Sequence, residues 1–75
     1  MEPTTYHSSL IRATTYDHEH HELEVVLISG EVRVYSEVPS AINAELEKCK
    51  DGTSSAGEYF QDNIEGKFPK KSDIE

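Results

Sequence analysis

This sequence is short of most of the residues that announce a chemistry. It has no tryptophan, one cysteine and one methionine, and only 7 lysines and arginines against 15 aspartates and glutamates. Each shortage excludes something. A lone Cys49 cannot close an intrachain disulfide, and it suits a reducing compartment. The longest apolar run, "VVLI" at 25–28, falls far short of the roughly 20 apolar residues that span a bilayer. The opening "MEPTTYHSSLIRATTYD" has no basic start followed by an apolar stretch, so it does not read as a secretory signal. The expectation is a soluble, cytoplasmic chain with no membrane partner. With a formal net charge of -8, it lacks the cations that a self-sufficient nucleic-acid binder uses to neutralise phosphates. The same charge keeps a small protein soluble and suits docking on a basic surface of another protein.

What is present is one domain of 75 residues, a size at which a single core is marginal without a partner, metal or disulfide. Residues 1–7 read as a flexible leader, 8–70 as the domain and 71–75 as a frayed acidic tail. "SLIRATTY" at 9–16 is rich in β-branched residues and suits a strand. "ELEVVLI" at 22–28 and "EVRVY" at 31–35 suit two more, joined through "SG" as a hairpin. At "VPSAINAELEKCK" the period changes. Pro39 fits the first turn of a helix, Ile42, Leu46 and Cys49 share one face, and Lys48 and Lys50 fall where positive charge complements the helix dipole. "DGTSS" at 51–55 ends this helix. A shorter one starts at Ser55, with Glu58 as its capping-box partner and Ala56, Tyr59, Phe60 and Ile64 as its stripe. The fold class is therefore α+β: a three-stranded antiparallel sheet, made of the hairpin plus an N-terminal strand, with two helices.

The hairpin admits two registers. A two-residue loop puts Leu23, Val25, Leu27, Val32 and Val34 on one face; a three-residue loop groups Val26, Ile28, Val32 and Val34 instead. Either way the sheet is apolar on both faces. One helix covers one face, and the second helix or a second copy of the chain covers the other, which points to a homo-oligomer.

The densest polar segment is "YDHEHHE" at 16–22. A zincin helix needs His-Glu-x-x-His, with two imidazoles one turn apart, and no histidine follows His18 at four positions. His18 and His20 could chelate a stray divalent ion, with His7 nearby, but the expected state of this segment, His21 included, is a solvated turn and no metal or cofactor is assigned. Ser8 and Ser9 lack a histidine–carboxylate framework that would make either a nucleophile, so they read as strand-start hydrogen-bonding residues or as ligands for a phosphate. Tyr16, Tyr35, Tyr59 and Phe60 read first as partly buried aromatic core, and Cys49 as a small core residue. Lys67, Lys70 and Lys71 form the one basic cluster, with Arg33 and Arg12 as its candidate neighbours.

Laid out in order, these pieces resemble the KTSC domain, a small family found at the C-terminus of some lysyl-tRNA synthetases and as short stand-alone proteins. "SS" at 8–9, Ile11, "YD" at 16–17, "LEVVL" at 23–27, Gly30 and "VP" at 38–39 follow the family's order. "GEYFQDNIEGKFP" at 57–69 is similar to its Gly-x-Tyr-Phe-x-x-x-Ile-x-Gly-x-aromatic-Pro ending. The resemblance covers about 60 residues and departs at the family's central Tyr-x-Tyr, which here falls on Arg33, Val34 and Tyr35. The role it implies is RNA binding, through tyrosines that stack bases on a sheet. With the first tyrosine replaced and the charge at -8, a nucleotide or short oligonucleotide suits the residues better than a long duplex, since an arginine beside a tyrosine can grip a phosphate and stack on a base.

No acid–base pair, nucleophile framework or phosphate loop can be assembled, so the chain is read as a non-enzyme. The first expectation is a module that binds or sequesters a nucleotide or short RNA, as a phage-encoded inhibitor would. Its ligand residues are Arg33, Tyr35, Ser8, Ser9, Tyr16, Tyr59, Lys67, Lys70 and Lys71. The second is an acidic module that docks on a basic protein partner, and the third is the RNA-binding role the resemblance implies.

Overall fold

The computed structural model describes residues 3–51 and 55–69, without the side chain of Ser55. Six elements follow one another: β1 (Thr4–Thr5), β2 (Ile11–Asp17), β3 (Glu22–Leu27), β4 (Val32–Tyr35), α1 (Ser40–Glu47) and α2 (Ser55–Asn63). The strands pair in the order β1-β2-β3-β4, each antiparallel to its neighbour. The α+β class stands, but the sheet has four strands rather than three.

The extra strand comes from the segment expected to be a flexible leader. Thr4 pairs with Thr14 and Thr5 with Ala13. The residues that follow are tied down as well: the Tyr6 amide donates to the Arg12 carbonyl at 3.0 Å, and the His7 amide donates to the Lys50 carbonyl at 2.8 Å. Tyr6 is buried, and its hydroxyl meets Thr14 Oγ1 at 2.8 Å. Two threonines in a polar context give no periodic signal, so the local sequence carries no trace of this pairing. It is a tertiary effect, with one buried tyrosine as its anchor. Between Ile11 and Ala13 the β2–β3 register shifts by a bulge, which turns Arg12 out while Ile11 stays fully buried.

The β3–β4 hairpin takes the three-residue alternative. Val26 pairs with Val32, Val25 with Arg33 and Leu23 with Tyr35, so the two-residue register is set aside. The Leu27 amide donates to the Glu31 carbonyl at 2.8 Å and the Gly30 amide to the Leu27 carbonyl at 2.9 Å, leaving 28–30 as the loop. Gly30 sits at φ +100°, a conformation that side chains resist, at the last position of the three-residue loop.

That register sorts the sheet into two faces. The inner one presents Thr14, Tyr16, Leu23, Val25, Leu27 and Tyr35, all buried, with Arg33 at its margin. Both helices lie on this side, where Val38, Leu46, Ala56, Phe60 and Ile64 complete the core. The second helix does not cover the outer face. Pro39 is the N-cap residue just before α1 rather than a member of its first turn. The buried centre of α1 falls on Asn43 and Leu46, with Ile42 and Cys49 partly buried beside them. α2 starts at the expected residue, but the capping partner proposed for Glu58 is the Ser55 side chain, which lies outside the described residues.

Candidate functional site

Arg33 and Tyr35 alternate along β4 and therefore point the same way, into the helix-covered side. Tyr35 is 1% exposed and packs edge-on against Phe60 of α2, with ring centroids 5.7 Å apart. Its face is not open to a base. Arg33 lies at the rim with its side chain 18% exposed. Its Nε and Nη2 donate to the two carboxylate oxygens of Glu31 at 2.9 and 3.4 Å, and its Nη1 donates to Glu65 Oε2 at 2.8 Å. Nη1 also reaches the Tyr35 hydroxyl at 3.4 Å. These partners hold the guanidinium pKa above its ordinary value, first through the Glu31 hydrogen bonds and then through Tyr35 and Glu65. A phosphate at this point would compete with two carboxylates already in place.

The other residues expected to hold a ligand do not gather around Arg33. Ser8 is buried, and its Oγ accepts the amides of Leu10 and Ile11 at 2.9 and 3.2 Å, which fixes the turn into β2. Ser9 is exposed beside it. Tyr16 is buried with its hydroxyl donating to the Val38 carbonyl, and burial raises its pKa, with Asp17 adding to the shift. Tyr59 is half-buried against the core. Lys67 is exposed in the turn after α2, where its amide donates to the Ile64 carbonyl at 3.0 Å. Lys70 and Lys71 lie outside the described residues.

The histidine-rich turn is organised by Asp17. One carboxylate oxygen accepts the amides of Glu19 and His20 at 2.9 and 3.3 Å, and the other meets His20 Nδ1 at 2.8 Å. Those contacts lower the Asp17 pKa, the His20 side chain contributing most. The group whose ligand atoms come within 4.8 Å of one another is Asp17, Glu19 and His20, rather than the His18 and His20 pair. His18 instead stands edge-on to Tyr16 at 4.7 Å, and His18, Glu19, His20 and His21 are all exposed. Asp17 thus caps an exposed turn.

Two other features are better formed than the expected ligand site. The first is the outer sheet face. Ala13, Val26, Val32 and Val34 lie together there through the pairs Ala13–Val26 and Val26–Val32, with Val32 45% exposed and Ile28 of the adjoining loop 46% exposed. Acidic residues flank them: Asp17 pairs with Glu22, and Glu24 sits between Thr15 and Val34. Sequence reading found the apolar residues on both faces but assigned the second helix or a second copy of the chain as the cover. The second is an open groove of about 510 Å³ beside α1, lined by Tyr16, His18, Ser40, Asn43 and Glu47 among others. Of these residues only Tyr16 was singled out from the sequence as a ligand contact, because Asn43 and Glu47 carry no motif.

Comparison with known proteins places the whole arrangement. The KTSC domain family model matches residues 7–68. The chain belongs to the KTSC domain family. A solved KTSC domain protein from Yersinia pestis superposes with a TM-score of 0.82 at 23% identity, covering 93% of each chain, which establishes a shared fold. No curated protein matches this KTSC chain. The KTSC ending has a physical reading here. Gly57 lets α2 approach the first turn of the domain, since a Cβ there would lie 3.3 Å from Leu10 Cβ. Phe60 and Ile64 enter the core, Gly66 turns the chain at φ +79°, and the Pro69 carbonyl accepts the Ser36 amide at 2.9 Å. The chain at Pro69 is thereby fastened beside the end of β4. No helix among the described residues is long and apolar enough to cross a membrane.

Proposed function

We propose that this KTSC domain is a non-catalytic protein-interaction module whose outer sheet face binds a partner segment that combines apolar and basic side chains. The observation that carries this reading is the apolar strip of exposed Val32 beside half-buried Val26 and Val34, which neither helix covers, with its acidic border. A sheet face left apolar loses hydrophobic free energy to water, and exposed apolar patches rimmed by charge are characteristic of interaction surfaces. A second copy of the chain would bring Glu24 against like charge on a molecule of net charge -8, whereas lysines or arginines would complement it.

The nucleotide reading centred on Arg33 and Tyr35 asks more of the molecule. A phosphate would have to displace Glu31 and Glu65, and a base would need a ring that is packed against Phe60. Binding of RNA, the role implied by the family resemblance, meets the same acidic charge.

Calorimetric titration with a synthetic peptide of alternating lysine and valine, and with its glutamate-for-lysine counterpart, tests the proposal. The lysine peptide should bind, weaken as salt rises, and lose affinity to Val32→Asp and Glu24→Lys proteins, while the glutamate peptide stays free. Affinity indifferent to Val32→Asp would overturn the assignment. So would a dimer in sedimentation that Val32→Asp dissolves, or a nucleotide bound by the wild type and lost on Arg33→Ala.

A further inference from the structure

The outer sheet face constrains the shape of the segment that binds it. An antiparallel sheet with one face in water ordinarily presents polar residues there. Here Ala13, Val26 and Val32 form a row across β2, β3 and β4, Val34 follows on β4, and Ile28 adjoins from the hairpin loop. Three adjacent strands make that row about 10 Å across, close to the diameter of one helix, about 10–12 Å. Beside Val34 the face turns polar at the cross-strand pair Thr15–Glu24. Glu24 is exposed and makes no ion pair among the described residues.

The side chains of this strip carry no hydrogen-bonding group, so a segment laid over them must satisfy its own buried amides and carbonyls. An extended segment does so by pairing with a sheet edge, and both edges here are poor templates. β1 is two residues long, and beside β4 the Ser36 amide already donates to the Pro69 carbonyl at 2.9 Å. A second sheet satisfies its own backbone, but packed face to face it would also bury Thr15 and Glu24. A helix touches one stripe and leaves both polar residues at its margin.

Resting on the interaction surface assigned above, we propose that its partner segment is an amphipathic α-helix, whose apolar stripe seats on Val26, Val32 and Val34 and whose flanking lysine or arginine meets Glu24. Val26 and Glu24 stand two residues apart on β3, about 7 Å along the strand, against a helical pitch of about 5.4 Å. A basic residue one turn from the stripe therefore reaches the carboxylate. The bound helix makes a third layer, opposite the two helices of the inner face.

Two blocked peptides of identical leucine and lysine content test this, one with leucine at i, i+3, i+4 and i+7, the other with leucine and lysine alternating. Calorimetry on the full chain should give the helix-periodic peptide an affinity at least about tenfold tighter, with its helicity rising on binding in circular dichroism. A proline at its centre should remove that advantage. Nitrogen-15 spectra should show saturable shifts centred on residues 13, 24, 26, 28, 32 and 34. Ile28→Asp and Val32→Asp, both at exposed positions, should each weaken binding by about fivefold or more, and Glu24→Gln by about two- to fivefold. Equal affinities, or a tighter alternating peptide, overturn the helix while the interaction surface stands. Saturation by neither peptide below about 1 mM removes the surface itself, and the helix with it. Shifts that scatter over the acidic residues and ignore Val32→Asp reduce the effect to net charge and overturn the site as well.

Discussion

Arg33 Nη1 donates to Glu65 Oε2 at 2.8 Å across 32 residues of chain, so one guanidinium joins β4 to the turn that ends α2. Together with Glu31 it makes a small ion network at the rim of the core. Where the KTSC pattern has a tyrosine, this chain has a cation whose donors are taken up by its own carboxylates. The position that first suggests a ligand contact is, in the folded chain, a clasp.

That clasp has a measurable stability. Arg33→Ala should lower the free energy of unfolding by about 1–2 kcal/mol, more than a fully exposed pair because the side chain is largely covered. Glu65→Ala alone should cost about half as much, and the double change should show a coupling of about 0.5–1 kcal/mol in denaturant melts. A coupling near zero would mean that the contact is made but contributes nothing.

Tyr35 separates core from ligand contact. Tyr35→Phe keeps the ring against Phe60 and removes a hydroxyl that meets Arg33 only at 3.4 Å, so the cost should stay below about 1 kcal/mol. Tyr35→Ala should cost about 3–5 kcal/mol, enough to unfold much of a domain this small. A Tyr35→Phe protein that is fully stable yet loses binding to a nucleotide would reinstate the ligand role.

Much of this architecture was written locally. β2, β3 and β4 are β-branched runs, Pro39 marks the entry to α1, and α2 begins at Ser55 as its polar start suggests. The polar residues that α1 places beside the groove were not legible. Asn43 reads as an unremarkable helix residue until Leu46 beside it turns inward and carries it under the surface. β1 is two threonines whose pairing depends on Tyr6 reaching Thr14. The Arg33–Glu65 contact and the outer face that neither helix covers depend on the hairpin register and on which side the helices pack, and neither is a property of any short window.

The register itself can be tested at one residue. Gly30 holds φ +100° with nothing within 4 Å of where a Cβ would stand, so the obstacle to a side chain there is backbone strain rather than crowding. Gly30→Ala should destabilise by about 1–2 kcal/mol, and Gly30→Asn by less because asparagine tolerates the left-handed region. If Gly30→Ala were neutral, the loop would have a second conformation available, and the placement of Arg33 on the inner face would no longer be fixed.

Alkaline pH reports on β1. Burial pushes the Tyr6 hydroxyl from 10.0 up to about 12, with the Thr14 hydrogen bond opposing the shift and Glu47 and Cys49 adding to it. The unfolded chain releases that proton near pH 10 and the folded chain only near 12, so the unfolded state binds fewer protons between those values. Stability is therefore unaffected by this group below about pH 10 and falls as pH rises from there toward 12. Ultraviolet titration should show a late phenolate step that Tyr6→Phe removes, and denaturant melts at pH 9 and 11 should show Tyr6→Phe losing less stability than wild type over that interval. Tyr16 and Tyr59 are also raised, so a shallower loss remains in the variant. A Tyr6 that ionises with the bulk near its ordinary value would mean that the strand contributed by the N-terminal segment is open in solution.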